Sequence, residues 1–322
     1  MTPYVCFEDR VRGGLYGLLV GDAVGVPYES QPGDAMPPRE AIDMVPPPDF
    51  ARSHPDVPPG TWSDDGAQAL CLLSSLLDAS SDGEGVDVAD LAKRLRAWLR
   101  EGYHTVDGRA FGIGSQTSRA IRALEAGAAP ETAGPAGEAD NGNGSLMRVL
   151  PLPLWHRGSD AALVRDAMDQ SRPTHRHAQS LVCCAVYCLW ARRELESDDD
   201  HDTFADAVAT FREIGKSEPS WIDVLDQHVR PHEAPTGTGT PYVVDTLRSA
   251  LMLLRAETSY EGVVRGAIGL GRDTDTTACV AGGIAGIRYG FDGIPARWVE
   301  ALRGRDVVEP LARRLRYERP MP

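Results

Sequence analysis

A helix built from small residues, with acids at its start, constrains this chain more than any other feature. Asp273-Thr274-Asp275-Thr276 follows Gly269-Leu270-Gly271 and leads into Ala278, Ala281, Gly282, Ala285 and Gly286 at helical spacing. Each glycine weakens a helix by up to ~1 kcal/mol relative to alanine. Such a helix suits a place where a neighbouring backbone must come close. That packing would hold the acidic start rigidly, as metal ligands require. A helix cap alone does not need two acids, two threonines and a small-residue helix together.

The rest of the chain repeats the helical period. Leu91, Leu95, Trp98 and Leu99 form a stripe behind a capping Asp87. Phe204, Val208, Phe211 and Ile214 form another, as do Val243, Leu247, Leu251 and Leu254. Leu181, Ala185, Cys188 and Leu189 mark a helix apolar nearly all round, hence central. Convincing period-2 strands are absent. The expectation is an all-α protein of many ordinary helices. With no repeat and no clear linker, its 322 residues are expected to form one domain.

Composition narrows the function. With 42% hydrophobic and 25% charged residues, the chain can bury a full core. No apolar run reaches the roughly 18 residues of a membrane span. The N-terminal stretch has no basic segment followed by an apolar one, so a cytoplasmic protein is expected. A net charge of −14 without blocks of Lys or Arg argues against an extended nucleic-acid surface. Cys6, Cys71, Cys183, Cys184, Cys188 and Cys279 include no C-x-x-C pair and read as reduced thiols, mostly buried.

A second acidic motif, Thr61-Trp62-Ser63-Asp64-Asp65, precedes Ala67, Leu70, Cys71, Ser74 and Leu77, the buried face of a helix. Ser63 can cap that helix, and its dipole favours acids in the first turn. If the fold brings both motifs together, four carboxylates share one volume. They cannot all stay ionised unless cations sit between them or some protonate. Oxygen donors of this kind suit Mg²⁺, Mn²⁺ or Ca²⁺ and not zinc.

Three other segments read as walls. Gly21-Asp22-Ala23-Val24-Gly25-Val26-Pro27-Tyr28-Glu29 joins a small-residue helix to a loop from Gln31 to Gly60 that is rich in proline. Phe111-Gly112-Ile113-Gly114-Ser115-Gln116-Thr117 enters a helix through glycines and could offer N–H groups to a phosphate, although a tight turn explains it equally. Asn141-Gly142-Asn143-Gly144-Ser145-Leu146-Met147-Arg148 closes a second loop, from Ala129 to Gly144. Its alternating glycines are expected to allow unusual backbone angles and expose donors. Long loops inside a compact protein are often functional. Thr174-His175-Arg176-His177 introduces the central helix, either as a Thr174 cap with solvent-facing histidines or as part of a site. The acidic run Ser197–Asp202 is expected to be an exposed turn.

Taken together, GDAVGVPYE, GTWSDD, FGIGSQT, NGNGSLMR, THRH and GRDTDTTACVAGGIAG resemble the ADP-ribosylglycohydrolase family, in family order over nearly the whole chain. The resemblance implies an all-α bundle around two divalent cations, Mg²⁺ or Mn²⁺, at helix N-termini. It implies Ser63, Asp64, Asp65, Asp273, Asp275 and Thr276 as metal ligands, and Glu29 as an acid near that centre. Gly112, Gly114, Ser115, Gly142, Asn143, Gly144 and His175 would contact substrate. The family often has Thr after the two acids, where this chain has Gly66.

The expected activity is hydrolysis of the glycosidic bond at ribose C1 in an ADP-ribosylated acceptor, with a protein side chain such as arginine as first choice. Asp65 is expected to move the proton, with Glu29 as second candidate, in a protein that works as a monomer. A binding or toxin-immunity protein of the same family is the alternative. Class I terpenoid synthases also bind Mg²⁺ through aspartates, but they want D-D-x-x-D, and Gln68 stands in the third position.

Overall fold

The computed structural model describes residues 5–79, 85–197 and 201–318, and the regular elements among them are helices joined by turns and irregular loops. In chain order the helices are α1 (Phe7–Gly25), α2 (Asp64–Asp78), α3 (Val88–Glu101), α4 (Ser115–Glu125) and the short α5 (Pro130–Ala133). Next come α6 (Pro151–Trp155), α7 (Asp160–Ser171), α8 (Ala178–Glu196), α9 (Thr203–Ile214) and α10 (Pro219–Val224). The chain ends with α11 (Val243–Ala256), α12 (Tyr260–Gly269), α13 (Thr274–Tyr289), α14 (Ala296–Ala301) and α15 (Arg305–Glu318). Extended pairing among the described residues is limited to two isolated bridges, Pro32 with Gly271 and Gly142 with Tyr242. No helix among them is long and apolar enough to cross a membrane.

The expected small-residue helix is α13, and its close neighbour is α1. A Cβ on Gly13 would lie 2.1 Å from the Gly286 carbonyl oxygen, one on Gly17 2.5 Å from that of Gly282, and one on Gly21 2.2 Å from that of Ala278. The two helices thus run antiparallel with their backbones in contact along a ridge repeated every four residues. Side-chain bonds brace the pair: the Tyr260 hydroxyl donates to Gly17 O at 2.7 Å, and the Thr274 hydroxyl donates to Gly25 O at 2.9 Å. Close packing of many atoms offsets the weak helix propensity of these residues. Its geometric result matters more. The end of α1 is locked beside the start of α13.

The apolar stripes fall where the periodicity sets them. Asp87 caps α3 by accepting from Asp90 N, and Leu91, Leu95 and Trp98 are fully buried. The central helix α8 is buried from Gln179 to Arg192 and packs on α7, α9 and α11. One buried apolar cluster runs from Val11 to Leu315. The α2 helix departs from the expected one-sided pattern, since every residue from Asp64 to Leu77 is buried. Its polar face is turned inward toward other polar groups.

The proline-rich segment is pinned to the helices rather than free. Tyr28 and Trp298 both bond to Asp43, and Arg265 Nε donates to Ile42 O at 2.9 Å. In the acidic run, residues 198–200 lie outside the described residues, while Asp202 caps α9 and pairs with Arg255. Of the cysteines, Cys6 is exposed and the other five are buried, all as free thiols.

Candidate functional site

The starts of α2 and α13 meet at the floor of a cavity of about 810 Å³. Ser63 caps α2 as expected, accepting from Asp65 N at 3.3 Å. A second cap arrives from α1: the Asp22 carboxylate accepts from Ser63 N at 3.0 Å and from Gly66 N at 2.8 Å. These bonds satisfy N–H groups that a helix start leaves unpaired. They also bring an acid that the sequence motifs do not single out to the back of the site. Gly66 has no room for the hydroxyl residue expected there, because a Cβ would lie 2.8 Å from Leu19 and from Trp62.

On the other side, Asp273 caps α13 by position but not through its side chain. Its Oδ2 instead accepts from Asn143 Nδ2 at 2.7 Å, and the same amide nitrogen donates to Thr246 Oγ1 at 2.9 Å. Thr276 Oγ1 donates to Asp65 Oδ1 at 3.3 Å. Asp65 Oδ2 is buried and has no hydrogen-bond partner among the described residues.

Asp22, Asp64, Asp65, Asp273 and Asp275 therefore share one buried region. Burial is the largest cause raising the pKa of each, to about 7 for Asp22 and well above the ordinary carboxylate value for Asp64, Asp65 and Asp275. Repulsion from the neighbouring acids adds to it. Asp273 rises too, against the donors from Asn143 and Thr276. Among the described residues none of the five has an ion-pair partner, although such clusters need compensating positive charge. Of these acids Asp64, Asp65, Asp273 and Asp275 line the cavity, and with the Thr276 hydroxyl they form a hard-oxygen donor set of the kind that takes a divalent cation. The carboxylates form a common acidic floor, not a closed cage: no three His, Cys, Asp or Glu side chains among the described residues converge on one ion position.

The walls come from the other three segments. Gly112 has φ of +80°, and a Cβ there would lie 2.5 Å from Asp64 Oδ1. Gly114 precedes α4 and makes no side-chain cap, and it lines the cavity together with Ser115, Gln116 and Thr117 of the first turn. The Asn143 loop corrects an expectation. Neither Gly142 nor Gly144 has a positive φ. They provide space instead, since a Cβ would lie 2.5 Å from Gln116 Oε1 at Gly142 and 2.7 Å from His175 Cε1 at Gly144.

Thr174 and His175 are both buried, and His177 takes the cap position of α8, accepting from Gln179 N. The reading of Thr174 as a cap with solvent-facing histidines is thereby replaced. The His175 ring lies against the glycine loop, with Nδ1 2.9 Å from Thr174 Oγ1. Burial depresses its pKa to about 3, so the ring is neutral.

Glu29 lies at the rim, its Oε2 2.5 Å from His54 Nε2, and the His54 ring packs on Phe111 at 5.4 Å. Of the expected site residues, only Ser63 does not line the cavity; it lies behind Asp65 in the α2 cap. Sequence reasoning gave no role at the site to Asp22, Gln68, Arg148, Thr246 or Arg272. The signal for Asp22 was an acid inside an apolar helical run, and for Arg148 a cation directly after the Ser-Leu-Met of the glycine loop.

Comparison with known proteins gives the same family throughout. The ADP-ribosylglycohydrolase family model matches residues 5–321. The chain is 33% identical to ADP-ribosylarginine hydrolase Tri1 of Pseudomonas putida (strain GB-1), over 95% of this chain and 78% of that protein. It is 29% identical to the ADP-ribosyl-[dinitrogen reductase] glycohydrolase of Rhodospirillum rubrum, covering 92% and 90%. With ADP-ribosylhydrolase ARH3 of Homo sapiens it shares 26%, covering 95% and 92%. A solved structure described as an ADP-ribosylglycohydrolase-related protein complex superposes with a TM-score of 0.77 at 30% identity, covering 98% of this chain and 99% of that one.

Proposed function

Because this chain belongs to the ADP-ribosylglycohydrolase family, we propose that it is a metal-dependent hydrolase releasing ADP-ribose from arginine side chains of modified proteins. The observation that carries the metal reading is the acidic floor itself: four buried carboxylates lining one cavity, a fifth, Asp22, behind them, and no cationic partner among the described residues. Two divalent cations, Mg²⁺ or Mn²⁺, would be held by Ser63, Asp64, Asp65, Asp273, Asp275 and Thr276. Their contribution would be Lewis-acid chemistry at the ribose hydroxyls and the attacking water.

The protein's own groups would supply the rest. Cleavage at ribose C1 passes through an oxocarbenium-like state. The N–H groups at the start of α4 and the Asn143 loop would receive the substrate's phosphates. Neutral His175 offers no positive charge to that wall, so it would orient by contact and hydrogen bonding. For the proton, Asp65 is the first choice, because its Oδ2 has no hydrogen-bond partner among the described residues. Glu29 is second, since its carboxylate is already engaged by His54. Arginine as the acceptor is supported by the relative that is 33% identical, named as an ADP-ribosylarginine hydrolase.

The test is release of ADP-ribose from a peptide ADP-ribosylated on arginine, run beside a serine-linked peptide, with Mg²⁺, with Mn²⁺ and with EDTA. Metal-dependent release from the arginine peptide is expected. Absence of release with either metal would sink the reading, and equal release in EDTA would remove the metals from it.

A further inference from the structure

Arg148 is fully buried at the back of the site, and burial lowers its guanidinium only to about 10, which leaves it charged at neutral pH. Among the described residues it has no carboxylate partner; every acceptor it uses is neutral. Nε donates to Gln170 Oε1 at 3.1 Å, and Nη2 to Gln170 O at 2.7 Å. Nη1 is shared between Gln68 Oε1 at 3.1 Å and Gly144 O at 3.2 Å. Gln68 is itself fully buried, and its Nε2 donates to Asp64 Oδ2 at 3.2 Å.

A glutamine amide can turn either end toward a neighbour, and the two ends act oppositely on a carboxylate. A guanidinium has donors only. Bound to Arg148, Gln68 must present its oxygen there, so its nitrogen always faces Asp64. Gln170 is fixed in the same way, because its Nε2 donates to Ser145 O and Ala167 O while its oxygen faces Arg148. The same Nη1 group that sets Gln68 also holds the Gly144 carbonyl. Floor and wall are therefore referred to one buried cation.

We propose that Arg148, acting through the fixed amide of Gln68, is a positioning residue that orients Asp64 against the glycine wall and so sets the affinity of the acidic floor for a divalent cation. The inference rests on the metal reading given under Proposed function. Groups that orient a ligand from behind typically change metal affinity by about 10- to 100-fold when removed.

The experiment titrates Mn²⁺ onto the full chain by the loss of the free-ion paramagnetic resonance signal, and separately measures activity against Mn²⁺ concentration. Two variants are compared with wild type. Gln68→Glu keeps an oxygen for Arg148, with an ion pair to offset the new repulsion, but turns an oxygen instead of a donor toward Asp64. Gln68→Met fills the space with neither group. Both should bind Mn²⁺ at least about 10-fold more weakly, and saturating Mn²⁺ should restore most of kcat. A merely structural role would not be rescued by excess metal. For Gln68→Glu, melting in EDTA should stay near wild type. Unchanged Mn²⁺ affinity in either variant overturns the inference while leaving the metal reading intact. A wild-type chain that takes up no Mn²⁺ overturns both.

Discussion

Thr276 donates its hydroxyl to Asp65 Oδ1 at 3.3 Å, joining two helix starts that lie 211 residues apart in the chain. It is a direct bond between the two acidic motifs. Its donor holds Oδ1, while Asp65 Oδ2 is buried without a geometric hydrogen-bond partner among the described residues. Thr276→Val keeps the shape and removes the donor, so Asp65 loses its fixed orientation. Activity should fall about 10- to 100-fold, while Thr276→Ser stays within a few-fold of wild type. Steady-state kinetics at saturating metal check both. Equal activity in Thr276→Val would show that the contact does not orient the acid.

Gly112 tests how tightly the wall is drawn against the floor. At φ of +80° an alanine is strained, and its Cβ would press on Asp64 Oδ1. A displacement of about 1 Å at a reacting centre can cost about 100-fold in rate. Gly112→Ala should lose activity on that scale while remaining folded by circular dichroism. Gly269→Ala, with no positive φ and nothing within 4 Å of its Cβ, should match wild type within about two-fold.

How much of this was legible in the sequence depended on whether a residue's role is local. The stripes Leu91-Leu95-Trp98 and Val243-Leu247-Leu251-Leu254 are set by helical period, and they are buried as read. The acidic starts of α2 and α13 carry their own cap chemistry, so they stood out. Asp22 did not, because its role depends on how α1 packs against the start of α2, which places it beneath Ser63 and Gly66. The link between Arg148 and Gln68 is illegible for the same reason, since only the fold brings these partners together. For Gly142 and Gly144 the sequence signalled a requirement for glycine but not its cause. Backbone freedom and missing volume look alike in a sequence, and here it is volume.

The α1–α13 contact should be the most sensitive part of the framework. A Cβ at position 286 would lie 2.0 Å from the Gly13 carbonyl oxygen, with backbone on both sides and no flexible side chain to give way. Gly286→Ala should destabilise the protein by more than about 3 kcal/mol, read as a lower urea midpoint. Because Asp273 and Asp275 open α13, activity should disappear with the same midpoint.

Acid stability should depend on His104. Burial, with Arg94 nearby, depresses its pKa from 6.5 to about 4, and its Nε2 lies 2.7 Å from Ser74 Oγ. The unfolded chain therefore binds a proton that the folded chain refuses between these values. The stability this group contributes is full above pH 6.5 and is lost as pH falls toward 4, at up to about 1.4 kcal/mol per pH unit. His104 has φ of +60°, so asparagine, which tolerates that conformation, is the suitable replacement. The melting temperature of His104→Asn should fall less steeply than wild type between pH 6.5 and 4. Parallel curves would exclude His104 as the source.

Removing one acid from the floor should separate stability from activity in opposite directions. Asp64 and Asp273 are buried beside like charges, and burial already penalises their ionised forms. Asp64→Asn or Asp273→Asn deletes one such charge and keeps an oxygen and the side-chain volume. In EDTA, either variant should melt at or above the wild-type temperature, because a repulsive and poorly solvated group is gone. Added Mg²⁺ should raise the wild-type melting temperature by binding the folded state, and raise that of the variants much less, since the ion loses a charged ligand. Turnover of an arginine-linked substrate should drop by about 1,000-fold or more in each. Asp273→Asn carries one further consequence, because Asn143 would then donate to an amide oxygen instead of a carboxylate, a weaker bond. Melting curves with and without Mg²⁺, set beside turnover, decide the matter. Variants that melt well below wild type in EDTA would mean that these acids hold the fold together, and a full Mg²⁺ shift in both would mean that the cations sit elsewhere.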